Sequence, residues 1–194
     1  MIPKNTTKVV LFLLRNTGKF GYNINQIAKL NKISVGSAFK ILKELEKNKL
    51  IIKNEISNAS HYTLNFDNLE TTKLCEFLLL AEKRTLKRYA KLYAEEIIKF
   101  KDAEMILLFG SVLRGKEFND VDILFITNQV KKVNNFCLEI SKVKTKPCVP
   151  LIMESEDLIK ALKQKKEAII NMIKEGVVLK GETVFLEVIK DVNS

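Results

Sequence analysis

Asp120 and Asp122 stand two residues apart at the head of an apolar run, Asn119-Asp120-Val121-Asp122-Ile123-Leu124-Phe125-Ile126. In a strand, alternation puts both carboxylates on one face and Val121 and Ile123 on the other. Two acids projecting from an otherwise apolar strand are costly unless a positive charge lies between them. Mg²⁺ is the natural candidate, because it takes carboxylate oxygens together with substrate phosphates. Upstream, the apolar stretch Glu104–Phe109 runs straight into Gly110-Ser111, with Arg114-Gly115 beyond. A Gly-Ser turn opening a helix offers free N–H groups and a hydroxyl to a phosphate, and Arg114 could grip it with two parallel hydrogen bonds. The competing reading is two solvated carboxylates at a strand start.

No second catalytic set is visible. Cys75, Cys137 and Cys148 are odd in number and widely spaced, as for buried thiols in a reducing cytoplasm rather than a disulfide or zinc framework. His61, the one histidine, has no ligand partners spaced around it and reads as a surface or phosphate contact. A phosphate loop ending in Gly-Lys-Ser/Thr is absent. Lys160–Lys166 falls on a helix whose lysines read as a solvated face, with a nucleic-acid contact as the alternative.

The elements that must carry these residues are bounded by composition. The chain has 194 residues, 46% of them apolar and 29% charged, which fits one or two folded domains and excludes a disordered chain. No apolar run approaches the ~20 residues that span a bilayer, and no signal peptide is recognised, so no membrane partner is expected. The net charge of +10 is uneven: residues 1–65 hold 11 basic and 3 acidic side chains, while residues 103–194 hold 14 and 13. Concentrated positive charge suits a phosphate backbone, whose neutralisation releases counterions; a solvated lysine-rich surface is the alternative.

Helical periodicity marks Asn5–Asn16, with Asn5 or Thr6 as cap; Gly18 and Gly21 punctuate the chain beyond it. Asn25–Leu30 reads as a short helix with Ile24, Ile27, Ala28 and Leu30 inward, and Ser34 as the N-cap of a helix over Val35–Lys47. On that helix Val35, Ala38, Leu42 and Leu45 cluster, flanked by Phe39 and Ile41, leaving Ser37, Lys40, Lys43, Glu44 and Lys47 outward. Two β-prone stretches come next, around Leu50–Ile56 and Tyr62–Phe66, with a tip at Ser57–Ser60. Three helices and a hairpin is the order of a winged helix-turn-helix. Asn25, Gln26, Ser34, Ser37, Lys40, Lys43, Lys47 and His61 are the residues expected to meet double-stranded DNA. Residues 67–102 read as one long helix or two, capped by Asp67 or Asn68; this segment either packs between domains or makes a homodimer.

Two resemblances add to this. The stretch INQIAKLNKISVGSAFKILKELEKNKLII, residues 24–52, resembles the winged helix-turn-helix domains of bacterial and archaeal transcription regulators, and residues 61–65 resemble the second wing strand of that family. LLFGSVLRGKEFNDVDILFI resembles the Gly-Ser then Asp-x-Asp motif of the DNA polymerase beta superfamily, and most resembles its minimal nucleotidyltransferases. Residues 169–181 are similar to that family's closing helix and strand. The resemblance implies a mixed sheet with flanking helices, and transfer of a nucleotidyl group from an NTP through two Mg²⁺ ions. It also implies Asp120 and Asp122 as catalytic metal ligands, Gly110, Ser111 and Arg114 as nucleotide-binding residues, and a HEPN-type protein as a conceivable partner. One departure matters. The family's third carboxylate belongs on a later strand, and here that strand reads Cys148-Val149-Pro150-Leu151-Ile152-Met153, with Pro150 at the acid's place. A proline also lacks a ladder N–H, so the strand should lie at a sheet edge or carry a bulge.

The resulting expectation is an α+β protein: a winged helix-turn-helix over residues 1–66, a helical linker over 67–102, and a mixed-sheet nucleotidyltransferase-like domain over 103–194. Its expected role is that of a cytoplasmic DNA-binding regulator whose second domain binds Mg-nucleotide with weakened catalysis. The alternative is an active enzyme moving an NMP to a protein, nucleic-acid or small-molecule hydroxyl.

Overall fold

Helix α1 (Lys4–Arg15) buries Val9, Val10, Leu13 and Leu14, spaced three and four apart, along one face. The computed structural model describes residues 2–16, 21–56, 58–115 and 117–193. Gly18 and Ser57 lie outside them. Pro3, rather than Asn5 or Thr6, is the N-cap of α1; a proline needs no donor at a position where the N–H would go unsatisfied. After β1 (Tyr22–Asn23), α2 (Ile24–Asn31) opens with a capping box: the Asn23 side chain accepts from the Gln26 N–H at 3.0 Å, and the Gln26 side chain accepts from the Asn23 N–H at 2.9 Å. A left-handed Lys32 ends α2, and Ser34 caps α3 (Val35–Lys47), its hydroxyl accepting from the Ser37 N–H at 3.1 Å. Each cap is worth about 1 kcal/mol.

Strands β2 (Ile51–Ile56) and β3 (Ala59–Leu64) pair antiparallel from Ile51↔Leu64 to Ile56↔Ala59, and β1 pairs on the other side of β3, giving the order β1-β3-β2. The wheel of α3 is partly misleading. Ala38, Ile41, Leu42 and Leu45 are buried, but Val35 and Phe39 are exposed, as is Leu30 on α2. Apolarity on a wheel marks a face as capable of burial; only a neighbour buries it.

Residues 67–102 hold two helices. α4 (Leu69–Lys83) is capped by the Asn68 side chain, which accepts from the Glu70 N–H at 2.9 Å. α5 (Arg88–Ile97) starts where Arg88 takes a left-handed φ of 50°. The described residues divide into two compact units with the boundary after Leu78, so the segment read as a linker is split between them. No helix among the described residues is long and apolar enough to cross a membrane.

The second unit is built on strands β4 (Met105–Phe109), β5 (Val121–Ile126), β6 (Cys148–Met153) and β7 (Val177–Lys180), in the order β6-β5-β4-β7. A four-residue 3-10 turn, Ser111–Arg114, comes directly after β4 and Gly110. Helices α6 (Val130–Val143), α7 (Ser155–Lys163), α8 (Glu167–Glu175) and α9 (Glu182–Asn193) complete it. The sheet is mixed: β5 and β6 run parallel, whereas β4 is antiparallel to β5 and β7. β6 is an edge strand, as its proline requires. Ile106, Leu108, Val121, Ile123 and Phe125 form one core cluster with Tyr93 and Ile97 of α5 and Val133 and Cys137 of α6. Tyr93 secures that side, its hydroxyl donating to the Lys146 carbonyl at 2.7 Å and accepting from the Lys146 N–H at 2.9 Å. All three thiols are buried; burial pushes Cys75 and Cys137 up to about 12 and Cys148 to about 11, so none is a thiolate at neutral pH.

Candidate nucleotide and nucleic-acid sites

The antiparallel register sets Phe109 opposite Asp122, so β4 delivers Gly110 to the point where β5 brings in its carboxylate. Of the six positions of β5, five are buried and only Asp122 keeps some exposure. Gly110 has φ 83°, and a Cβ placed on it would collide with Asp122 Oδ2 and lie 3.1 Å from Cγ. The carboxylate therefore rests over the bare Cα of the Gly-Ser turn. A glycine is required twice here, by the left-handed backbone and by the close approach. Asp120 lies just before β5, near enough that its charge adds to the effect of burial in raising the Asp122 pKa.

Among the described residues no cation forms an ion pair with either acid, and no set of three or more His, Cys, Asp or Glu is grouped to hold a metal. Two like charges sharing one place suit a divalent cation completed by oxygens from elsewhere, such as nucleotide phosphates. Because the folded-state pKa of Asp122 is raised, its contribution to stability is fully present below the unfolded value and is lost as pH rises through the folded value. At neutral pH the ionised group is a liability in the metal-free protein. Asp122→Asn is expected to raise the thermal midpoint at pH 7 and to leave it unchanged below about pH 4. Scanning calorimetry at the two pH values checks this, and an unchanged midpoint at pH 7 would count against it.

Arg114 is engaged by an acidic side chain. Its Nη1 donates to Glu175 Oε2 at 3.3 Å, both side chains being about three-fifths exposed (61% and 63%). An exposed pair of this kind is worth about 0–1 kcal/mol, so a phosphate could displace Glu175. The helix expected after Gly110-Ser111 is only the short 3-10 turn, so far fewer aligned N–H groups are offered. A cavity of about 1050 Å³ opens beside that turn, lined in part by Tyr89, Leu113, Arg114, Phe118 and Lys146.

The third-carboxylate position requires correction. In the parallel register Asp122 pairs with Val149, and Pro150 pairs with Ile123. Paired residues share a face, so the β6 side chain beside Asp122 belongs to Val149, while Pro150 lies on the Ile123 face. Neither supplies an acid. Motif alignment along one strand could not find this, because the face is fixed by pairing with another.

In the first unit, Lys40, Lys43 and Lys47 are exposed on the outer side of α3. Asn25 and Gln26 are exposed on α2, but the Gln26 oxygen is engaged in the capping box. Ser34 is occupied as a cap, and Ser37 is half-buried. His61 lies within β3, the central strand, half-buried, with Nδ1 3.1 Å from the Ala59 carbonyl oxygen.

The second unit, a mixed sheet with Asp122 against the Gly-Ser turn and Asp120 just before the same strand, is nucleotidyltransferase-like. Residues 90–183 match the family model Polymerase beta, Nucleotidyltransferase. Residues 7–77 match the family model of the B-block binding subunit of TFIIIC, a domain of DNA-binding type. No curated protein and no solved structure matches the chain.

Proposed function

We propose that this protein is a DNA-binding regulator whose second unit binds a Mg-nucleotide and transfers nucleotidyl groups poorly. The observation that carries the nucleotide half is the Asp122 carboxylate lying over Gly110, beside Asp120. On this reading Asp120 and Asp122 hold Mg²⁺, and Gly110 and Ser111 receive the phosphates. Arg114 exchanges Glu175 for a phosphate oxygen. A bound divalent ion would neutralise phosphate charge and polarise the phosphoryl group. Nothing beside Asp122 on β6 offers a carboxylate to take the acceptor's proton, which supports weak transfer. Binding of labelled ATP with Mg²⁺, lost in Asp122→Ala and without turnover, is the expected result; absence of Mg-dependent binding would sink it.

An active enzyme is the second reading. It is supported by the match of residues 90–183 to a nucleotidyltransferase family model. Label transferred to a protein, nucleic-acid or small-molecule hydroxyl would establish it in place of the first.

For the first unit we propose a winged helix-turn-helix, with α3 as recognition helix on double-stranded DNA. The concentrated positive charge and the helix, turn, helix, hairpin order support this. Affinity should fall steeply with salt. Lys40→Ala with Lys43→Ala is expected to reduce the log–log salt slope by about 2, at ~0.9 per lost phosphate contact. Anisotropy titrations at several salt concentrations measure it, and a salt-independent affinity would defeat the proposal.

A further inference from the structure

We propose that the α3 face carrying Val35 and Phe39 reads thymine methyl groups in the DNA major groove. This rests on the proposed DNA binding of the first unit and makes it specific. Helix α3 has enough apolar surface to fill its side of the core with Ala38, Ile41, Leu42 and Leu45. Val35 and Phe39 are left over, 48% and 55% exposed. Their i, i+4 spacing stacks them one turn apart on a single face. They occupy the first half of the helix, the half that meets base edges when such a helix enters the groove.

Gly36 stands between them in sequence. A Cβ there would meet nothing within 4 Å, and its φ lies outside the left-handed region, so the fold does not require glycine. The residue leaves bare backbone on the outer surface, over which another molecule can approach closely. Lys40 and Lys43 are exposed on the same helix, as are Lys29 in the last turn of α2 and Lys32 in the turn that follows it.

An occupant must therefore offer dispersed negative charge around small apolar groups. Duplex DNA does so: phosphates line the groove, and the thymine C5 methyl is the apolar group that a base pair presents there. A protein partner would have to set an acidic rim around an apolar centre, and self-association through this face is a contrary outcome of the test.

The test uses the full-length chain and the duplex it enriches from a pool of randomised DNA about two helical turns long. Each thymine of that duplex is then replaced in turn by uracil, which removes one methyl and keeps every hydrogen-bonding group. At least one replacement is expected to weaken wild-type binding about fourfold, the effect of exposing one buried methyl. Phe39→Ala should bind the thymine and uracil duplexes alike, with the salt slope unchanged because phosphate contacts remain. Val35→Ser is the second variant and should lose discrimination at a neighbouring position. Both side chains are exposed, and a circular dichroism melt confirms that the variants fold. Equal wild-type affinity for all uracil duplexes overturns this inference and leaves DNA binding intact. Discrimination that survives both substitutions, or loss of self-association in place of DNA discrimination, overturns it too. Failure to enrich any duplex overturns both this inference and the reading beneath it.

Discussion

Gly110→Ala is expected to abolish Mg-dependent nucleotide binding, with affinity falling at least about 100-fold, comparable to losing a preorganised charge-stabilising group. The new methyl would occupy the space of the Asp122 carboxylate. An alanine would also be held at φ 83°, where L-residues are strained by roughly 1–2 kcal/mol. The carboxylate must swing away or the turn must move, and either separates Asp122 from the Gly-Ser turn. Isothermal titration with ATP and Mg²⁺ reads the loss, and a thermal melt should show destabilisation on the order of 2 kcal/mol. Wild-type affinity in this variant would mean that the turn and the acids do not act together. The contrast with Asp122→Asn is diagnostic: both lose the nucleotide, but one melts lower and the other higher.

The second large effect is a gain. Val149→Asp would set a carboxylate directly beside Asp122, on the same face, with strand neighbours about 4.8 Å apart. Val149 is 44% exposed, so the new charge stays partly in water. If a proton acceptor is what the site lacks, Mg-dependent label transfer should rise about 100-fold, the usual scale for a positioned general base. Pro150→Asp should not raise it, because that side chain lies on the face of Ile123, which is fully buried. Single-turnover transfer from labelled ATP compares the two. Activation by Pro150→Asp alone would refute the alternation argument, and activation by neither would show that the deficit lies elsewhere.

Much of this geometry is legible in the residues. The apolar runs ending at Phe109 and starting at Val121 are strands because nothing polar but Asp122 interrupts them, and the motif between them forces the chain back on itself. The Ser34 cap is legible because it is local, a hydroxyl three residues from the N–H it receives. What escapes the sequence is set by partners distant along the chain. The hold of Glu175 on Arg114 joins residues 61 apart. The identity of the β6 residue facing Asp122 depends on a parallel pairing that only the folded sheet fixes. Helix α9 has no motif to announce it, although Phe185, Leu186, Val188 and Ile189 carry its apolar face and Glu182 its first turn. The break between α4 and α5 falls at residues 84–87, with neither glycine nor proline to mark it.

Pro150 has a consequence for the edge of the sheet. As a member of the outermost strand it withholds one amide from any chain arriving alongside, so β6 is a poor template for growth of the sheet between molecules. Exchanging it for any other residue hands that donor back. A variant meant to alter chemistry at this position would therefore carry a second liability, concentration-dependent association through the restored edge, and light scattering should accompany every measurement made on it.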